Sequence, residues 1–589
     1  MSSESPSVSP QTSTGIQSSS SHPTDSPPTT PGLLSSSPSA DLGAFIPPTH
    51  PARTLVLCFD GTGDQFDNDN SNVVQLFSFL KKDDKREQMA GIGTYTSPQV
   101  ATPIMSKISK TLDEMVAWNL DAHVMDGYEF LMQNYEAGDK ICIFGFSRGA
   151  YTARALAGMV HKVGLLPACN HQQVPFAYKM YTRTDEVGWK QSTAFKKAFS
   201  ADVDIEFIGV WDTVCSVGLI PRRLPFTTSN TSVKTFRHAV SLDERRAKFK
   251  ANLFNHPTKE ESRLGTKEGD MPKSDTIPAN TGEGVVTVAE GQNFGVRYNA
   301  SGNLIENGIV ELAQAIDGAA PKQKGKKKKG LKAMEREFSK SDGHNAETDV
   351  LEVWFAGCHC DVGGGSVPND TRHNLARIPL RWMIRQCFLA NTGIRFHATL
   401  LRTAGINPDS LYPVVQVRPA VLTSLPPDLP PPSMNGRPGT FAQQQQTHAR
   451  DLTTSTTTSA KTLINYADEQ SHSDIGNSGD FNGYSRPLSE EEEDYYDAYS
   501  PIYDQLTIAK YWWLLEILPM RHKEQNERND WIGQWSCNLG QGRKVPKRIQ
   551  KRNAFNVHRS VKLRMEADGL PEGKYIPKAH WKIEPNWVD

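Results

Sequence analysis

The sequence predicts an α/β fold, a mostly parallel sheet with helices on both faces, and three observations carry that prediction. Short apolar runs alternate with helix-length stretches, these runs end in an Asp, a Ser or a histidine loop, and one strand-to-helix junction reads Gly145-Phe146-Ser147-Arg148-Gly149. A strand, a helix and a second strand in succession need a crossover, and crossovers build parallel sheets.

The run TLVLCF, Thr54–Phe59, is the first buried strand, bounded by Pro51 and by Asp60-Gly61. Helix-like stretches follow over 72–80 and 112–135, the second stopped by the turn Glu136-Ala137-Gly138-Asp139. KICIFGF, Lys140–Phe146, reads as the second strand, and the Ala-rich stretch 148–161 after it has the small face of a helix packed closely on a sheet. Further strands are expected at Ile205–Trp211 and over 350–356.

Only 37% of the 589 residues are apolar, and long polar tracts account for the deficit. Residues 1–50, dominated by Ser, Pro and Thr, read as a disordered arm. Residues 51–420 read as the main folded domain, with polar insertions at about 256–284 and 318–347. The tract 421–500 holds a proline run, QQQQ and the acidic cluster 490–494, and reads as a low-complexity disordered insertion. Residues 501–589 read as a C-terminal helical segment packing on the domain, with QLTIAKYWWLLEILPMRH as one buried helix too short to span a bilayer. The basic run PKQKGKKKKGLK at 321–332 reads as a solvated tether.

Lys and Arg number 65 against 66 Asp and Glu, so no global field favours nucleic acid or an anionic membrane, and no nucleic-acid partner is expected. The eight cysteines are scattered, several of them within apolar runs where Cys acts as a small hydrophobe, which argues against a disulfide framework. Cys358 and Cys360 flank His359 without a second ligand pair at matching spacing, so no metal site is expected. The N-terminus lacks the basic residues and apolar run of a secretory signal, which makes a soluble cytoplasmic protein the expectation.

A serine hydroxyl is a weak nucleophile and needs an adjacent base together with donors for the developing oxyanion. Glycines on both sides of Ser147, Gly145 and Gly149, permit the sharp strand-to-helix turn that exposes such an oxygen, and the flanking strand and helix supply the context that G-x-S-x-G requires. The fold expected is therefore α/β-hydrolase-like, with helical cap insertions between Asp212 and His359 and disordered arms. In that fold an acid and then a histidine follow the serine along the chain. Asp212 ends one strand and His359 follows another, so Ser147, Asp212 and His359 form the expected catalytic set, as nucleophile, orienting acid and base. His238 and His123 are rival bases, and Asp60, Asp243 and Asp361 are rival acids that could instead hold turns or caps. The backbone N–H of Arg148 is one expected oxyanion donor, with Gly61 or Thr62 supplying a second. The run Gly363-Gly364-Gly365 is expected to shape the histidine loop.

The segments LCFDGTGD, GFSRGAYTARALAGM, VWDTVCSVG, RHAVSLDERR and EVWFAGCHCDVGGG, with LARIPLRWM after them, resemble a family of α/β-hydrolase-like proteins from fungi and bacteria. Its bacterial members include type VI secretion phospholipase effectors. The resemblance covers most of 53–400 and implies a Ser-Asp-His hydrolase of fatty-acyl or phospholipid esters, carried onto Ser147, Asp212 and His359. No cofactor is expected, the partner is a lipid or other ester substrate, and peripheral membrane contact is left open. The competing readings are a catalytically silent hydrolase-like binding scaffold and a phosphatase that attacks through Asp60.

Overall fold

The computed structural model describes residues 44–61, 68–82, 88–93, 120–214, 224–228, 233–255, 348–432, 484, 486–526, 531–551, 554–570 and 572–589. The expected N-terminal arm up to residue 43, the basic run 321–332, both polar insertions and the QQQQ tract lie outside them, as does Thr62.

Eight strands form one sheet: β1 (Thr54–Phe59), β2 (Gln88–Gly93), β3 (Lys140–Phe146), β4 (Ile205–Trp211), β5 (Val233–Ser241), β6 (Asp349–Phe355), β7 (Asn556–His558) and β8 (Asn586–Val588). Their order across the sheet is β2-β1-β3-β4-β5-β6-β7-β8, and every neighbouring pair is parallel. The order reverses between β1 and β3, and an open parallel sheet offers its crevice at the carboxyl ends of the strands flanking such a reversal.

The pleat sorts side chains between two cores. Leu55, Leu57 and Phe59 of β1 join Ile141 and Ile143 of β3 under helices α2 (Leu120–Asn134), α3 (Ser147–Val163), α4 (Val174–Thr182) and α5 (Glu186–Phe199). Val56, Cys58, Cys142 and Phe144 face the opposite layer, built by α1 (Asn72–Phe79) and α7 (Arg377–Leu389). Helices thus cover both faces, and the architecture is α/β-hydrolase-like. The short helix α6 (His359–Gly363) follows β6 along the chain.

Several expectations need correction. The stretch between Asp212 and His359 was expected to build a cap, yet its described part contributes β5 and β6 to the sheet itself. The acidic cluster was expected to be disordered, but Glu490–Ala498 is a buried helix, α8, closed at its start by a reciprocal Ser489–Glu492 capping box. Residues 501–589 are not simply helical, since they supply β7 and β8 and the helix α9 (Arg559–Glu566). QLTIAKYWWLLEILPMRH is not one buried helix either. It breaks into short turns at Gln505–Ile508, Lys510–Trp512 and Trp513–Glu516, stops at Pro519 and leaves many apolar side chains exposed. Among the described residues no helix is long and apolar enough to cross a membrane.

Candidate active site

β3 ends at Phe146 and α3 begins at Ser147 with no residue between them. The turn is made on Ser147 itself, whose φ of 58° lies in the left-handed region, a conformation that costs a non-glycine residue roughly 1–3 kcal/mol. The flanking glycines make that turn fit. A Cβ on Gly145 would come within 2.7 Å of the Ala150 backbone, and one on Gly149 would strike the carbonyls of Phe59 and Asp60 at the end of β1. The elbow therefore sits at the reversal of strand order.

His359 opens α6 immediately beyond the end of β6. Its loop is tied down by donors to buried acids: Gly357 N–H to Asp243 Oδ2 at 2.7 Å, Cys358 N–H to Asp361 Oδ2 at 2.8 Å, and His359 N–H to Glu244 Oε2 at 3.3 Å. Gly363 is required here because a side chain would enter the Phe146 ring, and Gly364 and Gly365 adopt φ of 88° and 84°. Phe146 lies against the imidazole with ring centroids 4.6 Å apart, and Phe249 meets it edge-on at 4.8 Å. These contacts fix the plane of the ring.

In that plane His359 Nε2 lies 2.7 Å from Ser147 Oγ, and Nδ1 lies 2.6 Å from Asp212 Oδ2. The carboxylate assigns the ring proton to Nδ1, which leaves Nε2 to accept from the serine hydroxyl. Asp212 follows β4 with a φ of 39° and accepts the Ser241 N–H on Oδ1 at 3.0 Å. Arg543 grips the same carboxylate with both terminal nitrogens, at 2.5 Å to Oδ1 and 2.8 Å to Oδ2, and also donates to the carbonyls of Ser241 and Phe249.

Burial alone would push the Asp212 carboxyl up, but the Arg543 guanidinium and the hydrogen bond from His359 outweigh it and hold the group well below the usual carboxylate range. Burial pushes His359 down from its ordinary value, more than the Asp212 carboxylate pulls it up, and the nearby Arg246 adds to the lowering. Glu244 is pushed up by burial, yet Arg246 brings it down to about 2. The imidazole is thus neutral at pH 7 and flanked by ionised acids.

The other expected residues fall elsewhere. His238 faces Glu352 Oε1 through Nδ1 at 2.8 Å and accepts the Thr213 N–H on Nε2 at 3.1 Å, so both its nitrogens are turned away from Ser147. His123 is buried on α2. Asp361 caps α6 and accepts from Tyr503 N–H, with burial pushing its pKa up to about 7. Asp243 receives Tyr575 Oη–H and Lys578 N–H as well as Gly357, which binds the C-terminal segment to the histidine loop. Asp60 Oδ1 accepts Gly61 N–H at 2.7 Å and Ser71 Oγ–H at 2.5 Å. That is a correction for Gly61, because the N–H expected to meet an oxyanion points at the Asp60 carboxylate instead. Arg148, second residue of α3, remains as an N-terminal donor position.

Sequence reasoning missed Arg543, Glu244, Arg246 and Phe249. Glu244 and Arg246 stand within the quoted segment RHAVSLDERR, but no spacing rule distinguished Arg543. Among the described residues His373, Glu493 and Asp497 have metal-ligand chemistry at close quarters. Arg372, Arg377 and Arg381 already neutralise these acids, so the cluster is an ion-pair node.

A profile of the type VI secretion system (T6SS) phospholipase effector Tle1-like catalytic domain matches residues 53–386, more than half of the chain. The chain belongs to this family. The Tle1-like match runs from β1 into α7 and takes in Ser147, Asp212 and His359, while Arg543, β7 and β8 lie beyond it. YEL023C, an uncharacterized protein of Saccharomyces cerevisiae, is 27% identical over 585 residues, covering 88% of this Tle1-like chain and 81% of its own length. Two solved structures are similar at 16% identity. One is an uncharacterized Pseudomonas aeruginosa protein (58% of this chain, 46% of that one, TM-score 0.25), and the other is the Tle1 effector bound to the VgrG spike (36% and 49%, TM-score 0.20). The chain thus spans about half the length of the solved structures it matches.

Proposed function

We propose that this Tle1-like chain is a serine hydrolase of carboxylic esters, with fatty-acyl and phospholipid esters as its substrate class. The observation that carries the reading is the hydrogen-bonded row from Ser147 through His359 to Asp212, built on a serine held in a strained elbow. Backbone strain of this kind persists only where the surrounding structure over-determines it, and such sites cluster where chemistry is done.

In the proposed reaction the Ser147 oxygen attacks the ester carbonyl carbon as its proton passes to His359 Nε2. The oxyanion forms beside the N-terminus of α3, where the Arg148 N–H and the helix dipole favour negative charge. Collapse of the tetrahedral species breaks the bond to the alcohol oxygen, and His359 returns the proton to that leaving group. Water then attacks the acyl-serine carbonyl, gives one proton to His359, and releases the fatty acid as Ser147 recovers its hydrogen. Asp212 keeps the imidazole in the required tautomer and stabilises its charged form.

The test is hydrolysis of p-nitrophenyl esters and phospholipids by the full chain and by Ser147→Ala, with p-nitrophenyl phosphate as control. Loss of a serine nucleophile is expected to lower kcat on the order of 10⁴-fold or more. Undiminished ester turnover by Ser147→Ala removes the assignment, and turnover of the phosphate alone moves the nucleophile to Asp60. A folded chain inert on every ester supports the binding scaffold.

A further inference from the structure

Among the described residues fifteen large hydrophobic side chains are exposed, and eight of them fall within the short interval 511–539. Tyr511, Trp513, Leu514, Ile517, Leu518 and Trp535 lead this group, with Leu514 68% and Trp535 67% exposed. They occupy the broken turns of 510–518 and an antiparallel ribbon, Met520–Gln525 with Trp531–Ser536. The two pieces are joined directly. Cys537 Sγ–H points at the Ile517 carbonyl (3.2 Å), Leu539 N–H donates to Glu516 O (3.0 Å), and the Trp513 ring lies against Gly540. An exposed apolar patch built from consecutive, mutually braced elements marks an interaction surface.

Its placement points toward the candidate site. Glu516 is completely buried and accepts from Ala247 N–H at 2.6 Å, Asn538 Nδ2 at 2.6 Å and Gly540 N–H at 2.9 Å, so it clamps the patch onto the loop around 245–250. In that loop Phe249 meets His359 at 4.8 Å on one side and Trp512 at 5.6 Å on the other. The Arg246 guanidinium covers both rings, 3.5 Å from Phe249 and 5.0 Å from Trp512. Trp512 in turn meets the exposed Tyr511 at 5.6 Å, so a row of rings runs from the imidazole through Phe249 and Trp512 to the surface.

Two features select the occupant. Trp and Tyr mixed with Leu and Ile, with the exposed Lys510 beside Tyr511 in sequence and the Asp504-paired Arg245 guanidinium 6.0 Å from the Trp513 ring, is the composition suited to the headgroup and upper acyl region of a bilayer. Moreover, Ile532 and Trp535 are three positions apart on one strand and so face opposite sides of the ribbon, and both are exposed. A flat protein partner would cover one side of a ribbon, whereas a fluid interface receives both.

We propose that segment 511–539 docks this chain peripherally on a phospholipid bilayer and presents the Ser147–His359 site to lipid drawn from that surface. The purpose of docking rests on the ester-hydrolase reading, but the docking itself is measured without turnover. Full-length Ser147→Ala is sedimented with large vesicles of phosphatidylcholine and phosphatidylserine in a three-to-one ratio. The same chain carrying Leu514→Asp and Trp535→Asp is expected to lose at least about tenfold in vesicle affinity, since two large apolar side chains no longer enter the interface. Val417→Asp, at a position 97% exposed elsewhere on the molecule, is expected to bind as before. Circular dichroism and gel filtration establish that each variant is folded.

Failure of Ser147→Ala to sediment, or equal sedimentation of the double variant, overturns the proposal. So does concentration-dependent self-association that the double variant abolishes while neither chain binds vesicles, because the occupant is then a second copy. Failure of the hydrolase reading appears separately, as absence of Ser147-dependent ester turnover.

Discussion

His359 is held between opposing influences, and their balance makes a prediction. Burial disfavours the imidazolium and Asp212 favours it, with the net shift downward from the ordinary value. A base must be neutral to take the Ser147 proton, so activity fails when acid protonates it. A lowered pKa moves that failure to lower pH, and the acid limb of kcat/KM on a soluble ester is expected to have its midpoint below about 6.5, the unperturbed histidine value. A midpoint above 7 is incompatible with the assignment. Arg543 contributes to this balance from the far side of Asp212, where its charge neutralises part of the carboxylate's pull on the ring. Arg543→Met leaves Asp212 more strongly basic toward His359, so the acid limb is expected to shift upward in pH. With the carboxylate no longer clamped, kcat should fall by about 10²-fold, the scale set by misplacing a catalytic group by an ångström. Arg543→Lys, which keeps the charge but not the two-pronged grip, is expected to hold the pH limb near its original place while kcat still drops. A purely structural role for Arg543 would lower kcat without moving the limb.

The elements differ in how openly the sequence declares them, and the reason is burial chemistry. TLVLCF, KICIFGF, IEFIGVW and the run over 350–356 are apolar but for one residue each, Thr54, Lys140, Glu206 and Glu352, and each forms a strand in the structure. β5, with Lys234, Arg237 and His238 inside it, gave no such signal, although partners elsewhere in the fold satisfy those groups: Glu206, Asp349 and Glu352. α8 is the extreme case. Its sequence EEEEDYYDA reads as a solvated acidic tract, yet Glu490, Glu491, Glu493, Asp494 and Asp497 each meet arginines drawn from positions 372 to 559. Charge compensation from distant residues is invisible to local pattern, so the acidic sequence does not declare the burial of this helix. Arg381 is nearly inaccessible and bridges Asp494 at 2.5 Å and Asp497 at 2.6 Å. Arg381→Met is expected to cost about 3–5 kcal/mol of stability, the scale of leaving buried charges without their main counterion. Thermal or urea unfolding of the variant measures it, and a loss below about 1 kcal/mol would mean that Arg377 and Arg418 suffice for the two acids.

At the scale of the whole molecule, chain order decided what could be read. Ser147, Asp212 and His359 were found from the ends of apolar runs because strand ends are local features, and they are hydrogen-bonded neighbours in the fold. Arg543 lies 331 positions from the carboxylate it holds, and no periodicity links the two. The family match ends at residue 386, whereas the sheet continues through β7 and β8 near the C-terminus. The matched region is therefore not expected to fold by itself. A chain ending at residue 432 loses the strand that pairs with β6, the helix α8 whose acids neutralise Arg377 and Arg381, the Tyr575 and Lys578 donors to Asp243, and the Arg543 clamp on Asp212. Each loss leaves a buried charge or strand edge without its partner, and such groups are costly when orphaned. The shortened chain is expected to aggregate or to show a non-cooperative melt, with no ester hydrolysis. Supplying residues 486–589 as a separate polypeptide should restore both a cooperative transition and turnover if the C-terminal part acts by packing into the sheet. A truncated chain that melts cooperatively and hydrolyses esters at the full-length rate would show instead that the C-terminal part is an accessory laid over a self-sufficient domain.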